Sequence, residues 1–309
     1  MDNEYVKDIP PDPTNFIESM RDIGYSPETA VADIIDNSLS AEARNIWLDS
    51  PPSNDPWFAI TDDGIGMSKD ELIDAMRLGC RNPLDERCSA DLGRFGLGLK
   101  TASFSQCRKL TVISGKDDEI SAVQWDLDFV KKSSQWLVKI LTQEEISSLC
   151  CFAFREIPVQ GTTVLWEVMD RIEGDILEEK SSSHASFIDS IQQHLSLVFH
   201  RFMPSSSAQA SLKQTVFHLN NEKLLPVDPF LASHPACQHL NSETVALTDT
   251  ESVDLQAYIV PHHRHLSFSE QDALEGDDGM VRGQGFYIYR NKRLIMHGGW
   301  FGLARQQEL

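Results

Sequence analysis

Hydrophobic and polar positions in the first half of the chain follow both helical and strand periods. In GYSPETAVADIIDNSLSA (24–41) apolar residues recur at helical spacing, and Ser26 and Pro27 supply a helix cap and a first helical position. Strands are predicted at NIWLDS, WFAITDD, KLTVIS, EISAVQWDL, QWLVKIL and GTTVLWEV, with a turn at GKDD. Because neighbouring strands are joined by short connections, we expect a mixed or antiparallel sheet.

The remainder of the chain predicts a second, smaller unit. The segment EEKSSS (178–183) is polar and predicts a linker, and HASFIDSIQQHLSLVFHRFM (184–203) predicts a long amphipathic helix. Two hairpins are predicted after it, one that turns at Asn220–Asn221 and one near Asn291–Lys292. We therefore place the domain boundary at residue 180, between domains 1–180 and 181–309.

Composition narrows the class of protein. No run of 18 apolar residues occurs, so we expect no membrane span. The six cysteines form no C-x-x-C pair, which favours a reducing, cytoplasmic compartment. The run HHRH (262–265) lacks a spaced carboxylate or cysteine partner, so a solvated loop is favoured over a metal site. A net charge of −20 argues against a general attraction to nucleic acid.

The glycine cluster GRFGLGLK (93–100) indicates a phosphate site. Its spacing fits neither a Walker A loop nor the Rossmann fingerprint. A glycine turn at a helix start can still hold phosphates with backbone amides, and Lys100 would add a positive charge. The interval 77–100 also has five basic residues against three acids, which favours a small anionic ligand. A tight turn within a solvated charged face is the alternative.

Two further motifs carry polar groups with a defined chemistry. In DDGIGM (62–67), Asp62 can accept a hydrogen bond from an exocyclic amine, and Gly64 and Gly66 let a base lie against the backbone. In DIIDN (33–37), the amide oxygen of Asn37 suits magnesium, and Asp33 lies on the same helix face, where it could deprotonate a water. Each motif alone is explained equally well by a polar turn or an exposed helix face.

Together and in this order, the motifs resemble the GHKL superfamily of ATPases, which includes gyrase, the 90-kDa heat-shock chaperones, histidine kinases and MutL. The segments that carry the resemblance are ADIIDNSLSA, DDGIGM, GRFGLGLKTAS and GTTVLWE. The chain looks most like the MORC-type branch. The resemblance implies an α+β fold with a Bergerat-type ATP-binding sandwich, a mixed sheet covered by helices on one face, and a lid at about 67–100.

The second unit resembles the transducer domain of MORC and MutL relatives. The resemblance rests on LNNEKLLPVDPFLASHPA and FYIYRNKRLIMHGGWFGL. It implies a smaller α/β domain over 181–309. We expect this domain to be incomplete at its C-terminus, as part of a longer protein, because no lysine after the last hairpin fills the phosphate-contacting role known in such domains.

The resemblance also assigns roles to individual residues. Asp62 would bind the adenine amino group, with Gly64, Gly66 and Met67 beside the base. Asn37 would coordinate magnesium, and Asp33 would be the catalytic base in place of the usual glutamate. The remaining predicted nucleotide contacts are Gly93, Arg94, Phe95, Gly96, Leu97, Gly98, Lys100 and Thr162, of which Lys100 would face the phosphates as a catalytic residue.

The function that follows is magnesium-dependent ATP binding and hydrolysis, which would close the lid and drive formation of an ATP-dependent homodimer. A nucleotide-sensing module with negligible turnover is the alternative, because Asp33 is one methylene shorter than glutamate. A histidine kinase is disfavoured, because no dimerisation helix with an accessible histidine precedes the ATP motifs. DNA binding is possible for a full-length protein, although the charge does not indicate it.

Overall fold

The chain folds into two compact units. The first comprises residues 1–195 and 213–224, and the second comprises residues 196–212 and 225–309. The structure, a computed structural model, describes residues 9–22, 24–53, 55–79, 98–156, 158–171, 177–204, 214–268, 270–271 and 284–300. Within these ranges no helix is long and apolar enough to cross a membrane.

An eight-stranded mixed sheet forms the centre of the first unit, in the order β5-β4-β3-β6-β2-β1-β7-β8. The strands are β1 (Asn45–Asp49), β2 (Phe58–Asp62), β3 (Lys109–Lys116), β4 (Glu119–Asp126), β5 (Lys139–Ile140), β6 (Gly161–Glu167), β7 (Val216–Leu219) and β8 (Glu222–Lys223). Only β1 and β7 pair in parallel among these described strands. The predicted mixed sheet and α+β class are confirmed.

Helices cover the sheet. They are α1 (Pro13–Arg21), α2 (Pro27–Ser40), α3 (Lys69–Met76), α4 (Gly98–Gln106), α5 (Leu127–Ser133), α6 (Gln143–Ser147) and α7 (Leu177–Val198). Helix α2 begins where the sequence predicts, because the Ser26 hydroxyl accepts a hydrogen bond from the amide of Thr29. Val31, Ile34 and Ile35 of its apolar stripe are buried, and Leu39 is partly buried. Helix α4 contacts both α1 and α2.

The two faces of the sheet bury different side chains. Successive residues of a strand point to opposite faces, so Phe58 and Trp166 share the face that contacts α4, where the Trp166 indole donates to the Ser103 hydroxyl at 2.8 Å. On the opposite face Ala59 and Leu165 belong to a second core cluster. The cluster also contains Trp57, Ile113, Ala122, Leu141, Ile146 and Cys151. Residues of α6 and of the 3₁₀ helix Cys150–Ala153 therefore cover the second face of the sheet. The resemblance implies helices on one face only.

Arg155 attaches this covering segment to the sheet. Its guanidinium donates two hydrogen bonds to the Asp49 carboxylate, at 2.8 and 2.9 Å, and a third to Asn221 Oδ1 at 3.1 Å. It also lies 5.0 Å from the centre of the Trp47 ring. The Asp49 side chain is only 5% exposed, so Arg155 neutralises a nearly buried charge.

Three predicted tight turns are present as hairpins. Asp117–Asp118 joins β3 to β4, and Asn220–Asn221 joins β7 to β8, with positive φ at both residues of each turn. Asn291–Lys292 has the same conformation and joins β13 (Ile288–Arg290) to β14 (Arg293–Met296). Positive φ at both central positions matches the right-handed twist of paired strands, which explains why asparagine and aspartate mark these turns.

The structure differs from the sequence prediction at three places. The predicted linker 178–183 lies inside α7, which is consistent with the helix propensity of its Glu and Lys residues. The predicted boundary at residue 180 therefore falls within a helix, and the hairpin β7–β8 belongs to the sheet of the first unit, beside β1. In the predicted strand QWLVKIL, only Lys139–Ile140 forms a strand.

The described part of the second unit contains three small two-stranded sheets. One is β13–β14, and the others pair β9 (Gln238–His239) with β12 (Tyr258–Ile259) and β10 (Glu243–Ala246) with β11 (Ser252–Leu255). Aromatic rings pack between these elements, with Phe230 stacked on Tyr258 at 4.5 Å. The HHRH run is exposed and includes the 3₁₀ helix His263–His265. Among the described residues of the chain, no group of three or more His, Cys, Asp or Glu is arranged for a metal ion.

Replacing Arg155 by alanine should destabilise the first unit by about 2–3 kcal/mol, because the Asp49 carboxylate would stay buried without its cation. Arg77→Ala is the matched control, since the Arg77–Asp74 pair is 71% and 69% exposed and should contribute well under about 1 kcal/mol. Urea unfolding of both variants would measure the difference. Equal stabilities would show that Arg155 does not hold the covering segment on the sheet.

Candidate active site

Helix α2 presents two of the predicted site residues one helical turn apart. Asn37 is exposed, and its Nδ2 donates to the Asp33 carbonyl at 3.3 Å, which directs the amide nitrogen back along the helix. The partly buried Asp33 carboxylate accepts a hydrogen bond from the Tyr25 hydroxyl at 2.9 Å. Burial and the neighbouring Asp33 charge raise the pKa of Tyr25. The phenol therefore stays protonated and acts as a donor at neutral pH.

Asp62 lies at the end of β2 and is bound by three different elements. Its Oδ2 accepts from the Ser38 hydroxyl of α2 at 2.7 Å, and its Oδ1 accepts from the amides of Gly64 at 2.9 Å and Thr162 at 3.3 Å. Burial raises the pKa of Asp62, while these hydrogen bonds act in the opposite direction. A carboxylate accepts about four hydrogen bonds, so this geometry leaves capacity for one amine donor.

Ser114, in β3, connects β6 and the Met67 backbone close to Asp62. Its hydroxyl donates to the Gly161 carbonyl at 2.9 Å and accepts from the Met67 amide at 2.8 Å. It also lies 3.0 Å from the Thr162 hydroxyl. One donor and two acceptor positions are thereby filled, as many as a hydroxyl offers. Met67 and Thr162, both predicted at the nucleotide, are brought together by a residue that the sequence does not single out.

The glycines of the DDGIGM motif are required by the packing of the protein itself. Gly66 has a φ of +66°, and a Cβ there would lie 2.0 Å from the Gly115 carbonyl oxygen. A Cβ on Gly64 would lie 2.7 Å from the Ala41 carbonyl oxygen. These contacts explain the two glycines without a ligand. That they also let a base lie against the backbone stays a prediction.

Lys100 is placed differently from a solvent-facing phosphate ligand. It is 2% exposed, and its ammonium donates to the Ala75 carbonyl of α3 at 2.7 Å. Its contact with phosphates stays a prediction. Gly98, the first residue of α4, is the one predicted phosphate-wrapping glycine within the described part of the chain. Outside that part lie Gly93, Arg94, Phe95, Gly96 and Leu97.

Residues 67–79, the first of the two described parts of the predicted lid, contain α3 and are attached to the sheet. Leu72 and Met76 of α3 are buried, and the Trp125 indole of β4 donates to the Met76 carbonyl at 3.0 Å. Ser68 and Glu71 form a capping box at the start of the helix. A closing movement of the lid would therefore have to break these contacts or leave α3 in place.

Three residues that hold the site together were missed from the sequence: Tyr25, Ser38 and Ser114. Ser38 directly follows Asn37, so its position on α2 could have suggested that it lies near Asp62. Tyr25 precedes a helix cap and Ser114 lies within the buried part of β3, and neither position carries a local signal. Their partners are distant in sequence, so only the assembled sheet and helices reveal their roles.

A comparison with protein families matches residues 25–157 to the family described as Histidine kinase-, DNA gyrase B-, and HSP90-like ATPase. These residues include Asp33, Asn37, Asp62 and Lys100, and they contain strands β1 to β5 of the mixed sheet. The first unit contains a GHKL-type ATPase domain. The predicted resemblance to this superfamily is thereby confirmed, as is the ATPase class of the domain.

A relative that is named as an ATPase supports the MORC-type branch. Over 110 residues the GHKL-domain chain is 33% identical to the ATPase morc-1 of Caenorhabditis elegans. The aligned part is 35% of this chain and 12% of the relative. The chain therefore spans only about an eighth of that relative.

Gly66→Ala should destabilise the GHKL domain by about 3 kcal/mol or more, because it adds a backbone clash to an unfavourable positive φ. Gly79→Ala is the matched control, since Gly79 has a φ of +69° but no atom of the described residues lies within 4 Å of the position that a Cβ would take. The control should lose only about 1 kcal/mol. Chemical denaturation separates the two, and equal losses would mean that the Gly115 contact is easily relieved.

Proposed function

We propose that the GHKL domain binds Mg–ATP and hydrolyses it to ADP and phosphate. One observation carries the proposal: the helix that presents Asp33 and Asn37 is hydrogen-bonded through Ser38 to Asp62. A predicted catalytic face and a predicted base-binding carboxylate are thus parts of one rigidly connected arrangement. The family match over 25–157 and the similarity to ATPase morc-1 support ATP as the nucleotide.

Asp62 would recognise the adenine amino group through its remaining acceptor capacity. Thr162 and Met67, which Ser114 connects, would border the base. Asn37 fits a magnesium site, because magnesium takes few protein ligands together with phosphate oxygens and Asn37 exposes an amide oxygen. When bound, the ion would neutralise charge on the phosphates. Gly98 at the start of α4 and Lys100 would contact the phosphates, together with residues 93–97, for which the sequence predicts the same role.

Asp33 would act as the general base. As a water oxygen attacks the γ-phosphorus, the Asp33 carboxylate takes a proton from the water, and the bond between the γ-phosphorus and the β–γ bridging oxygen breaks. ADP leaves with that oxygen, and phosphate is released. Because Asp33 is shorter than glutamate, its approach to the water depends on how its carboxylate is held.

We further propose that ATP binding acts as a conformational switch that favours a homodimer, with the second unit as a transducer-like domain. Differential affinity of ATP for the two states would drive the change.

DNA binding stays a proposal for a longer protein only, since the charge of −20 does not favour it. The described cysteines Cys107, Cys150, Cys151 and Cys237 are free thiols, which accords with the predicted cytoplasmic compartment.

Purified protein should release phosphate from Mg–ATP, and Asp33→Ala and Asn37→Ala should each lower turnover by about 100-fold or more, since they remove the base and the magnesium ligand. A coupled phosphate assay would measure turnover, and fluorescent-ATP titration would measure binding. Asp33→Ala should keep its affinity for ATP, whereas Asn37→Ala should lose it. Full turnover in both variants would contradict the proposal.

The second candidate function is a nucleotide sensor with negligible turnover, favoured by the short Asp33 side chain. The same assay on Asp33→Glu distinguishes the two functions. A parent that binds ATP without turnover, together with a large gain in Asp33→Glu, would support the sensor. Loss of turnover in Asp33→Glu from an active parent would show that the site is built around aspartate.

A non-hydrolysable ATP analogue with Mg²⁺ should convert the protein to a dimer, because closure around the triphosphate would favour the associated state. Sedimentation velocity over a range of protein concentrations would report the conversion. Asn37→Ala is the control and should stay in the nucleotide-free state. A parent that remains monomeric with saturating analogue would rule out the homodimer while leaving hydrolysis intact as a proposal.

A further inference from the structure

Tyr25 lies between the proposed base and the helix that follows the glycine cluster. It immediately precedes Ser26, the cap of α2, and its hydroxyl donates to Asp33 Oδ2 at 2.9 Å. The ring is partly buried, so the contact is protected from bulk water. Asp33 is eight residues away along the chain, about two turns into the helix. This hydrogen bond therefore helps to fix Oδ2 of the Asp33 carboxylate.

Helix α4 holds Tyr25 at two separate points. The Gln106 side chain, at the end of α4, donates to the Tyr25 backbone carbonyl at 3.2 Å. Thr101, in the first turn of α4, interacts with the Tyr25 side chain and lowers the pKa of its phenol, and its own hydroxyl donates to the Gly98 carbonyl at 3.4 Å. Gly98 of the predicted phosphate motif begins the same helix, three residues before Thr101. A continuous path of contacts thus runs from the start of α4 through Thr101 and Tyr25 to the Asp33 carboxylate.

We propose that Tyr25 is a positioning residue for hydrolysis, which orients the Asp33 carboxylate and makes that orientation depend on the placement of α4. The inference rests on the proposed ATPase function. The phenol holds Oδ2, and the orientation that it gives to the carboxylate determines how Asp33 approaches the attacking water. When phosphates bind at the start of α4, the shift or ordering of that helix reaches the base through Thr101 and Tyr25.

The chemistry of the Tyr25 contact suits this role. A phenol that stays protonated at neutral pH donates a hydrogen bond and cannot compete with Asp33 for the water proton. The two contacts from α4 fix both the backbone and the tip of Tyr25, which limits the conformations open to Asp33. A small misplacement of a reacting group costs a large factor in rate. A short carboxylate, with less reach than glutamate, is especially sensitive to such a misplacement.

Steady-state kinetics on Tyr25→Phe tests the proposal. We expect kcat to fall about tenfold with KM for ATP changed less than about twofold, because the ring and its packing remain while the orienting hydroxyl is lost. Thr101→Val should lower kcat by a smaller factor, and the double variant should be no slower than Tyr25→Phe alone, since both act on the same hydroxyl. Tyr258→Phe, in the second unit, is the matched control and should leave turnover unchanged.

A measurement without nucleotide tests the contact itself. Ultraviolet titration of the parent minus Tyr25→Phe isolates the ionisation of Tyr25, which should occur at higher pH than that of an ordinary tyrosine. Asp33→Asn should move this ionisation to lower pH, because the neighbouring negative charge is removed. Thermal unfolding of every variant would show that the proteins compared in the assays are folded.

The outcomes separate the two proposals. An active parent with an unchanged or faster Tyr25→Phe overturns the positioning role and leaves the ATPase function standing. Equal effects on kcat and on thermal stability across Tyr25→Phe and Tyr258→Phe would assign Tyr25 a structural role only, which also overturns it. A parent that binds ATP without any turnover overturns both proposals. An Asp33→Asn variant with unchanged phenol ionisation would refute the contact on which the positioning role depends.

Discussion

The buried carboxylate of Asp62 is the interaction on which the site depends. It accepts hydrogen bonds from α2, from the turn after β2 and from β6, so it links three of the elements that carry predicted nucleotide contacts. A buried charge is tolerated only where donors surround it, and here each donor comes from a different part of the chain. The position of α2, and with it of Asp33 and Asn37, therefore follows from the requirement to solvate one carboxylate.

Close backbone approach reinforces this arrangement. Gly66 faces the Gly115 carbonyl, and a Cβ on Gly161 would lie 2.0 Å from the Asp62 carbonyl oxygen. Three neighbouring segments are thus packed more closely than side chains would permit. Ser114 then connects their polar groups at the same level of the sheet. The polar network and the glycine contacts constrain the same small region, which gives the site a rigid floor on the side of the strands.

Elements whose signals are local were predictable from the sequence. The cap of α2, the period of the strands and the three turns with positive φ depend on a few adjacent residues. Gln106 is 81 residues from Tyr25 and Met67 is 47 residues from Ser114, and no local pattern encodes such contacts. The glycines of DDGIGM illustrate a further limit. Their presence indicates a close approach of the backbone, but the sequence does not reveal which backbone carbonyls they face.

Polar composition was likewise a poor guide to the boundary between the units. The segment 178–183 predicted a linker from its charged and hydroxyl residues, yet it continues into the apolar stripe of α7 and is part of that helix. The pairing of β7 with β1 depends on a parallel contact between strands separated by more than 160 residues. Periodicity identifies such a strand but does not say which sheet it joins.

The placement of β7 has a consequence for how the ATPase domain can be isolated. The family match ends at residue 157, and a fragment cut there or after α7 would lack the strand that satisfies the outer edge of β1. The backbone amides and carbonyls of β1 would then offer a template for pairing with other molecules. Self-association of such a fragment would result from the unpaired edge of β1 rather than from a biological assembly. A fragment that preserves the sheet must therefore include residues 213–224 together with the residues before them.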